Sequence, residues 1–222
     1  MRLLGKVAVS AGVALLGVAV VIAADVPTGV VSNAVRAHVD GADAALGANV
    51  YAGDSLNTYP GGTLRMRVGA GQLFMLESSE ASVTQDHGLV DMLMESGTAG
   101  LSGTIDDPLE IDTPVGTLRP ANGKHAFGQV TITGGNQIIV TSYEGTLSLT
   151  HEGEERMVED GKSYRVTLAA QPASPAAYPQ RGQGAGTGNN HRKLIFELIL
   201  VGGTAAIGYG VWHALAVSPS SP

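Results

Sequence analysis

Hydrophobic and polar residues alternate over many short segments of this chain. Residues 63–68 read Thr-Leu-Arg-Met-Arg-Val, which places Leu64, Met66 and Val68 on one face and both arginines on the other. A period of two predicts a strand that is buried on one face only. Similar runs, bounded mostly by Gly, Asp, Asn or Pro, predict strands at residues 72–77, 89–95, 109–113, 126–133, 137–143, 146–150 and 163–168. No 11-residue window between them has a helical period, so we predict an all-β domain.

Glycine turns connect these segments. Gly134-Gly135 lies between two apolar alternating runs, and a two-residue loop of glycines permits positive φ at both positions, so we predict a β-hairpin there. A glycine turn followed by a strand with leucine in third place recurs from Gly62, Gly71, Gly116 and Gly145, at uneven spacing. Uneven repetition favours a short twisted β-solenoid or a sandwich-like roll over a propeller, whose blades keep a fixed period.

Both ends of the chain are apolar. Residues 1–24 carry two basic residues and then an apolar run with small residues before Asp25, which predicts a signal peptide or an uncleaved signal anchor. Residues 194–217 predict a transmembrane helix, in which residues 198–216 would rise about 28 Å. Gly202, Ala206 and Gly210 recur every four residues on one face of that helix, so a second helix could pack there and form a homo-oligomer.

The orientation of the chain in the membrane has two conflicting signals. His191, Arg192 and Lys193 precede the C-terminal apolar segment, and by the positive-inside rule they would keep the preceding domain in the cytoplasm. The N-terminal segment predicts export instead. We give it more weight because the first apolar segment usually sets orientation, and we therefore expect the β domain in the periplasm or outside the cell.

Residues 169–193 are predicted to be a linker, and residues 218–222 a short tail. The linker is rich in proline at first and in glycine afterwards, with too few apolar residues to form a core. Its alternating glycines are not a dinucleotide fingerprint, because no strand precedes them and an apolar segment follows. The residues between the two ends, 25–168, are expected to form one domain.

Composition excludes several classes of function. The 222 residues include 31 glycines, 5% aromatics and no cysteine, so neither a disulfide framework nor a thiolate metal site can form. The net charge of −7 at pH 7 opposes binding to nucleic acid phosphates. We therefore expect no nucleic acid partner.

We find no pattern of catalytic residues. The six histidines are isolated from one another, and no catalytic serine motif or phosphate-binding loop occurs. An acidic cluster at Asp106, Asp107, Glu110 and Asp112 lacks the spacing of a calcium-binding loop and is interpreted as the solvated face of a strand. The prediction is a protein that is not an enzyme and has no metal site or cofactor.

Four motifs between about residues 50 and 166 carry a family resemblance. They are Gly53-Asp54-Ser55-Leu56-Asn57-Thr58 with the strand at 63–68, Ile111-Asp-Thr-Pro-Val-Gly116, Tyr143-Glu-Gly145-Thr-Leu-Ser-Leu149 and Glu159-Asp-Gly161-Lys162. In combination they resemble a FecR domain. One element departs from the family pattern, because Gly123-Lys124-His125-Ala126-Phe127 stands where G-T-x-F is usual. The matching motif residues, all expected to be structural, are Gly53, Asp54, Thr58, Thr113, Pro114, Gly116, Gly145 and Gly161.

The resemblance implies signalling across a bacterial envelope. Proteins similar to FecR relay a periplasmic contact to a cytoplasmic sigma factor, but so few residues flank the two apolar segments that we expect no anti-sigma region in this chain. Two hypotheses remain open. One is a membrane-tethered binding or signalling module that acts through another envelope protein, and the other is a structural envelope protein that binds cell-wall polymer or self-associates.

Overall fold

The computed structural model describes residues 26–169 and 194–199, and this part of the chain contains sixteen β-strands and no helix. The first eight strands are β1 (Gly29–Val39), β2 (Ala42–Asp43), β3 (Asn49–Val50), β4 (Ser55–Val68), β5 (Gly71–Met75), β6 (Glu80–Asp86), β7 (Leu89–Ser96) and β8 (Thr98–Gly103). The remaining strands are β9 (Leu109–Thr113), β10 (Gly116–Pro120), β11 (Ala126–Gly134), β12 (Gln137–Glu144), β13 (Leu147–His151), β14 (Glu154–Val158), β15 (Ser163–Leu168) and β16 (Leu194–Leu198). The all-β prediction is confirmed for the described residues.

One continuous sheet contains all of these strands. Its order is β14-β13-β10-β9-β7-β6-β4-β5-β8-β11-β12-β15-β16, and β1 pairs with β2, β3 and β4 beside this path. Among the described residues, every ladder is antiparallel except that between β7 and β9. Stacked solenoid coils would pair in parallel. The pairing is therefore that of a rolled antiparallel sheet.

The sheet curls so that its two arms face each other. Strands that are distant in the sheet order come close together: β8 lies against β9 and β10, β11 against β7 and β13, and β12 against β14. The faces turned towards each other carry one cluster of buried aliphatic and methionine side chains. This shared cluster is the core of the domain, and burial of its apolar surface is the main force that holds the arms together.

The register of β4 confirms one half of the predicted alternation and corrects the other. Leu64, Met66 and Val68 are buried in the core. Arg67 is exposed, as expected, but Arg65 is only 9% exposed, and burial lowers its pKa. The prediction that both arginines lie on a solvated face is wrong for Arg65, because the outer face of β4 and β5 is itself partly covered.

The predicted hairpin forms, but its turn is displaced by one residue. Gly134 pairs with Gln137, which leaves Gly135 and Asn136 at the turn between β11 and β12. Neither Gly134 nor Gly135 has positive φ. The hairpin prediction is confirmed, but the two-residue loop is Gly135-Asn136 and not Gly134-Gly135, since Gly134 extends its strand instead of entering the turn.

The start of the predicted C-terminal helix also needs correction. Residues Leu194–Leu198 form β16, which pairs antiparallel with β15. A free edge of β15 supplies backbone hydrogen bonds to these residues, and this overrides the apolar pattern that favoured a helix from Leu194. The rest of the predicted helix, the residues before Val26 and most of the predicted linker lie outside the described residues. Within the described residues, no helix is long and apolar enough to cross a membrane.

Candidate functional site

Gly53 and Asp54, at the start of the first family motif, form the turn before β4. Gly53 has a φ of +98°, a region that favours glycine, and its backbone N–H donates to the Val83 carbonyl at 2.7 Å. The Asp54 carboxylate accepts a hydrogen bond from the backbone N–H of Tyr51 at 2.8 Å. The bond runs to a residue before Asp54 and not to one after it, as an Asx-turn would require. These contacts join the turn to β6.

Thr58 and Thr113 each hold a turn through the side-chain hydroxyl. Thr58 donates to the Leu76 carbonyl and accepts from the Ser79 backbone N–H at 2.9 Å. Thr113 donates to the Gly116 carbonyl at 2.7 Å and accepts from the Gly116 N–H at 3.1 Å. Pro114 lies in the two-residue turn that separates β9 from β10. Both hydroxyls are fully engaged in backbone contacts.

Two further motif glycines lie in turns with positive φ. Gly145 has a φ of +69°, and a Cβ there would lie 2.3 Å from the His125 carbonyl oxygen. Gly161 has a φ of +67° but open space around it. The structure therefore places Thr58 within β4 and the other seven motif residues at turns or strand ends, and does not gather them into one pocket. Gly202, Ala206 and Gly210 lie outside the described residues.

The four residues of the predicted acidic cluster lie in two places, the loop before β9 and the strand β9 itself. Asp107 accepts hydrogen bonds from the Thr104 N–H and hydroxyl in the loop before β9, while Asp106 is exposed. On β9, Glu110 forms an ion pair with Arg119 at 2.9 Å, and Asp112 accepts from the Thr117 hydroxyl at 3.0 Å. In residues 26–169 and 194–199, no three His, Asp or Glu side chains form a group suited to a metal ion.

Asp91 on β7 joins the acidic residues of β9. Parallel pairing places it beside Glu110, with Asp112 nearby. Burial and, after it, the charges of Asp112 and Glu110 raise the pKa of Asp91 to about 7, although a hydrogen bond from the Asp112 backbone lowers it. Its Oδ1 atom is buried and accepts no hydrogen bond within the described part of the chain. Sequence analysis missed Asp91, because a parallel pair of strands leaves no local signal.

A row of aromatic rings crosses the outer face of the sheet at β5, β11 and β12. The ring centroids of Phe74 and Phe127 are 5.7 Å apart, and those of Phe127 and Tyr143 are 5.2 Å apart in a stacked arrangement. Burial raises the pKa of Tyr143. Since Phe127 is only 2% exposed, this row is a packing feature and not an open aromatic platform.

An open cleft lies where the two ends of the curled sheet approach each other. It has a volume of about 370 Å³ and is lined by Arg156 and Met157 of β14, Tyr164 of β15, and Leu194 and Phe196 of β16. We call it the seam cleft. Tyr164 and Phe196 pack against the core and contact each other edge to face, with centroids 5.9 Å apart. The seam cleft is thus the place where the apolar core reaches the surface.

The seam cleft has one charged side chain in its lining. Arg156 donates through Nε to Glu154 at 2.9 Å, whereas the pair of Arg165 and Glu197, at 3.4 Å, lies on the opposite face of β15 and β16. Met157, in the lining, is 46% exposed, and Leu198, on the same face of β16 as Phe196, is 50% exposed and extends the apolar surface beyond the lining. The lining can accept an apolar side chain or a short extended segment, with Arg156 as a polar contact.

Sequence analysis did not predict this cleft. Residues 163–168 were correctly predicted as a strand, but Leu194 and Phe196 were assigned to a helix. The signal that could have found β16 is the composition of Leu-Ile-Phe-Glu-Leu, since branched and aromatic residues after a turn-rich linker also fit a strand.

Comparison with known proteins gives no family assignment. No family model matches the chain, and no curated protein matches it. Similar solved structures include two crystal structures of a "putative anti-sigma factor" from Parabacteroides distasonis ATCC 8503. One has 10% identity, a TM-score of 0.42 and coverage of 65% of this chain, and the other has 12% identity, a TM-score of 0.31 and coverage of 63%.

The chain spans 59% and 53% of the length of those two structures. TM-scores of this size do not establish a shared fold. The function of this protein therefore has to be argued from its own residues.

Proposed function

We propose that this protein is a non-catalytic binding or signalling module of the bacterial cell envelope, of the FecR type. In this proposal the β domain lies in the periplasm or outside the cell and is tethered to a membrane by the apolar segment that follows β16. Its seam cleft receives an apolar segment of a partner envelope protein. No metal, cofactor or nucleic acid takes part.

The observation that carries this proposal is the position of the seam cleft. It opens at the end of the sheet where Leu198 leads into the apolar stretch of residues 198–216. A membrane span there would hold the seam cleft near the bilayer surface. A partner that is itself a membrane protein would then be confined close to the cleft, which raises the effective concentration of its binding segment.

The motif residues support the same proposal in a different way. Thr58 and Thr113 are engaged in backbone contacts, Gly53 has positive φ, and a Cβ at Gly145 would meet the His125 carbonyl. Because these residues serve the fold, we assign recognition to the seam cleft. A function in recognition fits this division of roles better than one in catalysis.

A structural envelope protein is the second candidate, and the free edge of β16 favours it. In the described part of the chain, β16 ends the sheet and pairs with β15 alone. An uncovered edge strand can pair with another chain. If the protein mainly self-associates or binds cell-wall polymer, the seam cleft will contact copies of this chain or polymer and no other protein.

Site-specific photo-cross-linking distinguishes these functions. A benzophenone amino acid replaces Tyr164, which lines the seam cleft, or Tyr59, which is exposed on β4. The full chain is irradiated in its native membranes. We expect an adduct with one defined protein other than this chain from position 164, lost when Phe196→Asp is added, and none from position 59. The same adducts from both positions, or adducts only with polymer or with copies of this chain, would count against the binding-module proposal.

A further inference from the structure

We propose that a second copy of this chain pairs with β16, in an antiparallel two-fold arrangement centred on Phe196. The pairing would join the two sheets into one and place a second β16 alongside the wall of each seam cleft. It differs from the helix contact predicted at Gly202, since the contact lies in the folded domain.

The backbone of β16 has hydrogen-bonding groups on its outer edge. The Ile199 N–H donates to the Ser163 carbonyl at 2.9 Å, so residues 163 and 199 form a hydrogen-bonded pair. Hydrogen-bonded pairs alternate along an antiparallel ladder, so Glu197 and Ile195 also direct their backbone groups towards β15. The N–H and C=O groups of Leu194, Phe196 and Leu198 therefore point away from β15.

The pairing of β15 with β12 supports this assignment independently. The Ser142 N–H donates to the Lys162 carbonyl and the Leu168 N–H donates to the Asn136 carbonyl, both at 2.9 Å. Even-numbered residues of β15 thus face β12, and odd-numbered residues face β16. Both ladders give the same outer edge for β16.

The side chains of β16 are self-complementary about Phe196. In a two-fold antiparallel pair, Leu194 lies opposite Leu198 of the second copy, Phe196 opposite Phe196, and Ile195 opposite Glu197. Leu194, Phe196 and Leu198 of each strand then share the face that lines the seam cleft, while Ile195 and Glu197 lie on the other face. Leu198 and Ile195, at 50% and 54% exposed, are the apolar surface that such a pair would cover.

Neighbouring registers fit less well. A pair centred on Glu197 would place two carboxylates directly opposite each other, which is unfavourable. A pair centred on Ile195 would leave Leu198 without a partner residue within β16. The register centred on Phe196 pairs all five residues of the strand and keeps the Glu197 charges apart.

Cysteine cross-linking tests this register directly, because the chain has no native cysteine. In the proposed pair, residues 195 and 197 of different copies lie opposite each other, with Cα atoms about 5 Å apart, which a disulfide can span. Residue 195 and its own counterpart lie about 8 Å apart, beyond that limit. The full chain carrying Ile195→Cys with Glu197→Cys is oxidised in membranes and run on a non-reducing gel.

We expect a covalent dimer from the double variant at a yield at least tenfold above that from either single variant. Phe196→Cys, on the two-fold axis, should also form the dimer. A double variant that stays monomeric, or Ile195→Cys or Glu197→Cys alone cross-linking as well as the double variant, would overturn the proposal. The result does not depend on capture of a partner at Tyr164, so failure of this pairing and failure of the proposed function are distinguishable.

Discussion

Asp91 on β7 lies beside Glu110 on β9, across the parallel ladder between these two strands. Two carboxylates in this position repel each other, and burial of Asp91 adds to the cost of ionising it. The Arg119 side chain forms an ion pair with Glu110, but within the described residues no basic side chain forms an ion pair with Asp91. The charge of Asp91, and with it the repulsion on the outer face of β7 and β9, therefore changes with pH.

The stability of the domain should fall as the pH rises towards neutrality. The folded pKa of Asp91, about 7, lies above its ordinary value of 3.8, so the folded state binds more protons than the unfolded state between these values. Asp91→Asn should stabilise the domain at pH 8 by about 1 kcal/mol, after allowance for solvent screening, and change little at pH 4. Urea melts at both pH values measure this.

Asp106→Asn is the matched control, because Asp106 is exposed and lies in a loop. It should leave the pH dependence unchanged. Identical pH profiles for Asp91→Asn and the original chain would show that Asp91 is ionised normally.

The buried face of β4 gives a prediction about charge. Leu64 is 2% exposed, so Leu64→Asp buries an unpaired carboxylate and should destabilise the domain by about 3 kcal/mol or more. Arg67→Asp, on the exposed side of the same strand, should change stability by about 0.5 kcal/mol at most. Arg65→Asp should fall between them because Arg65 is buried. Equal urea midpoints for Leu64→Asp and Arg67→Asp would contradict this register.

Gly100 gives a prediction about packing. A Cβ there would lie 2.1 Å from the ring Cζ of Phe74 and 2.5 Å from the Gly128 carbonyl oxygen. The carbonyl is backbone, so the strands must shift to admit a methyl group. Gly100→Ala should therefore destabilise the domain by about 2 kcal/mol. Gly134→Ala is the control, since a Cβ added at Gly134 would meet nothing within 4 Å. Equal shifts of the melting temperature for Gly100→Ala and Gly134→Ala would refute the close packing at Gly100.

Local patterns allowed much of the fold to be predicted. The strands β9 and β15 have the predicted bounds, and β7, β11 and β12 differ by a residue at one end. Each of these strands alternates clearly and ends at a turn residue. Among the missed strands, β1 and β8 lack that alternation: Ser32, Asn33 and Arg36 interrupt β1, and small residues on both faces of β8 obscure its period.

Pairing over long distances in the chain could not be predicted from local patterns. Arg65 looked solvated because its burial depends on what covers the outer face of β4 and β5. Leu194 looked helical because the edge of β15 that receives it lies about thirty residues earlier in the chain. The seam cleft depends on both the curl of the sheet and this late strand, so no single segment encodes it.

Membrane attachment through the segment after β16 can be measured by carbonate extraction of a truncated chain. Deleting residues 200–222 keeps β16 but removes most of the apolar segment. We expect the full chain in the membrane pellet and the truncated chain in the soluble fraction, with Ile207→Arg shifted towards the soluble fraction, since a charge at the centre of a span costs about 3 kcal/mol. A truncated chain that stays entirely in the pellet would contradict C-terminal tethering.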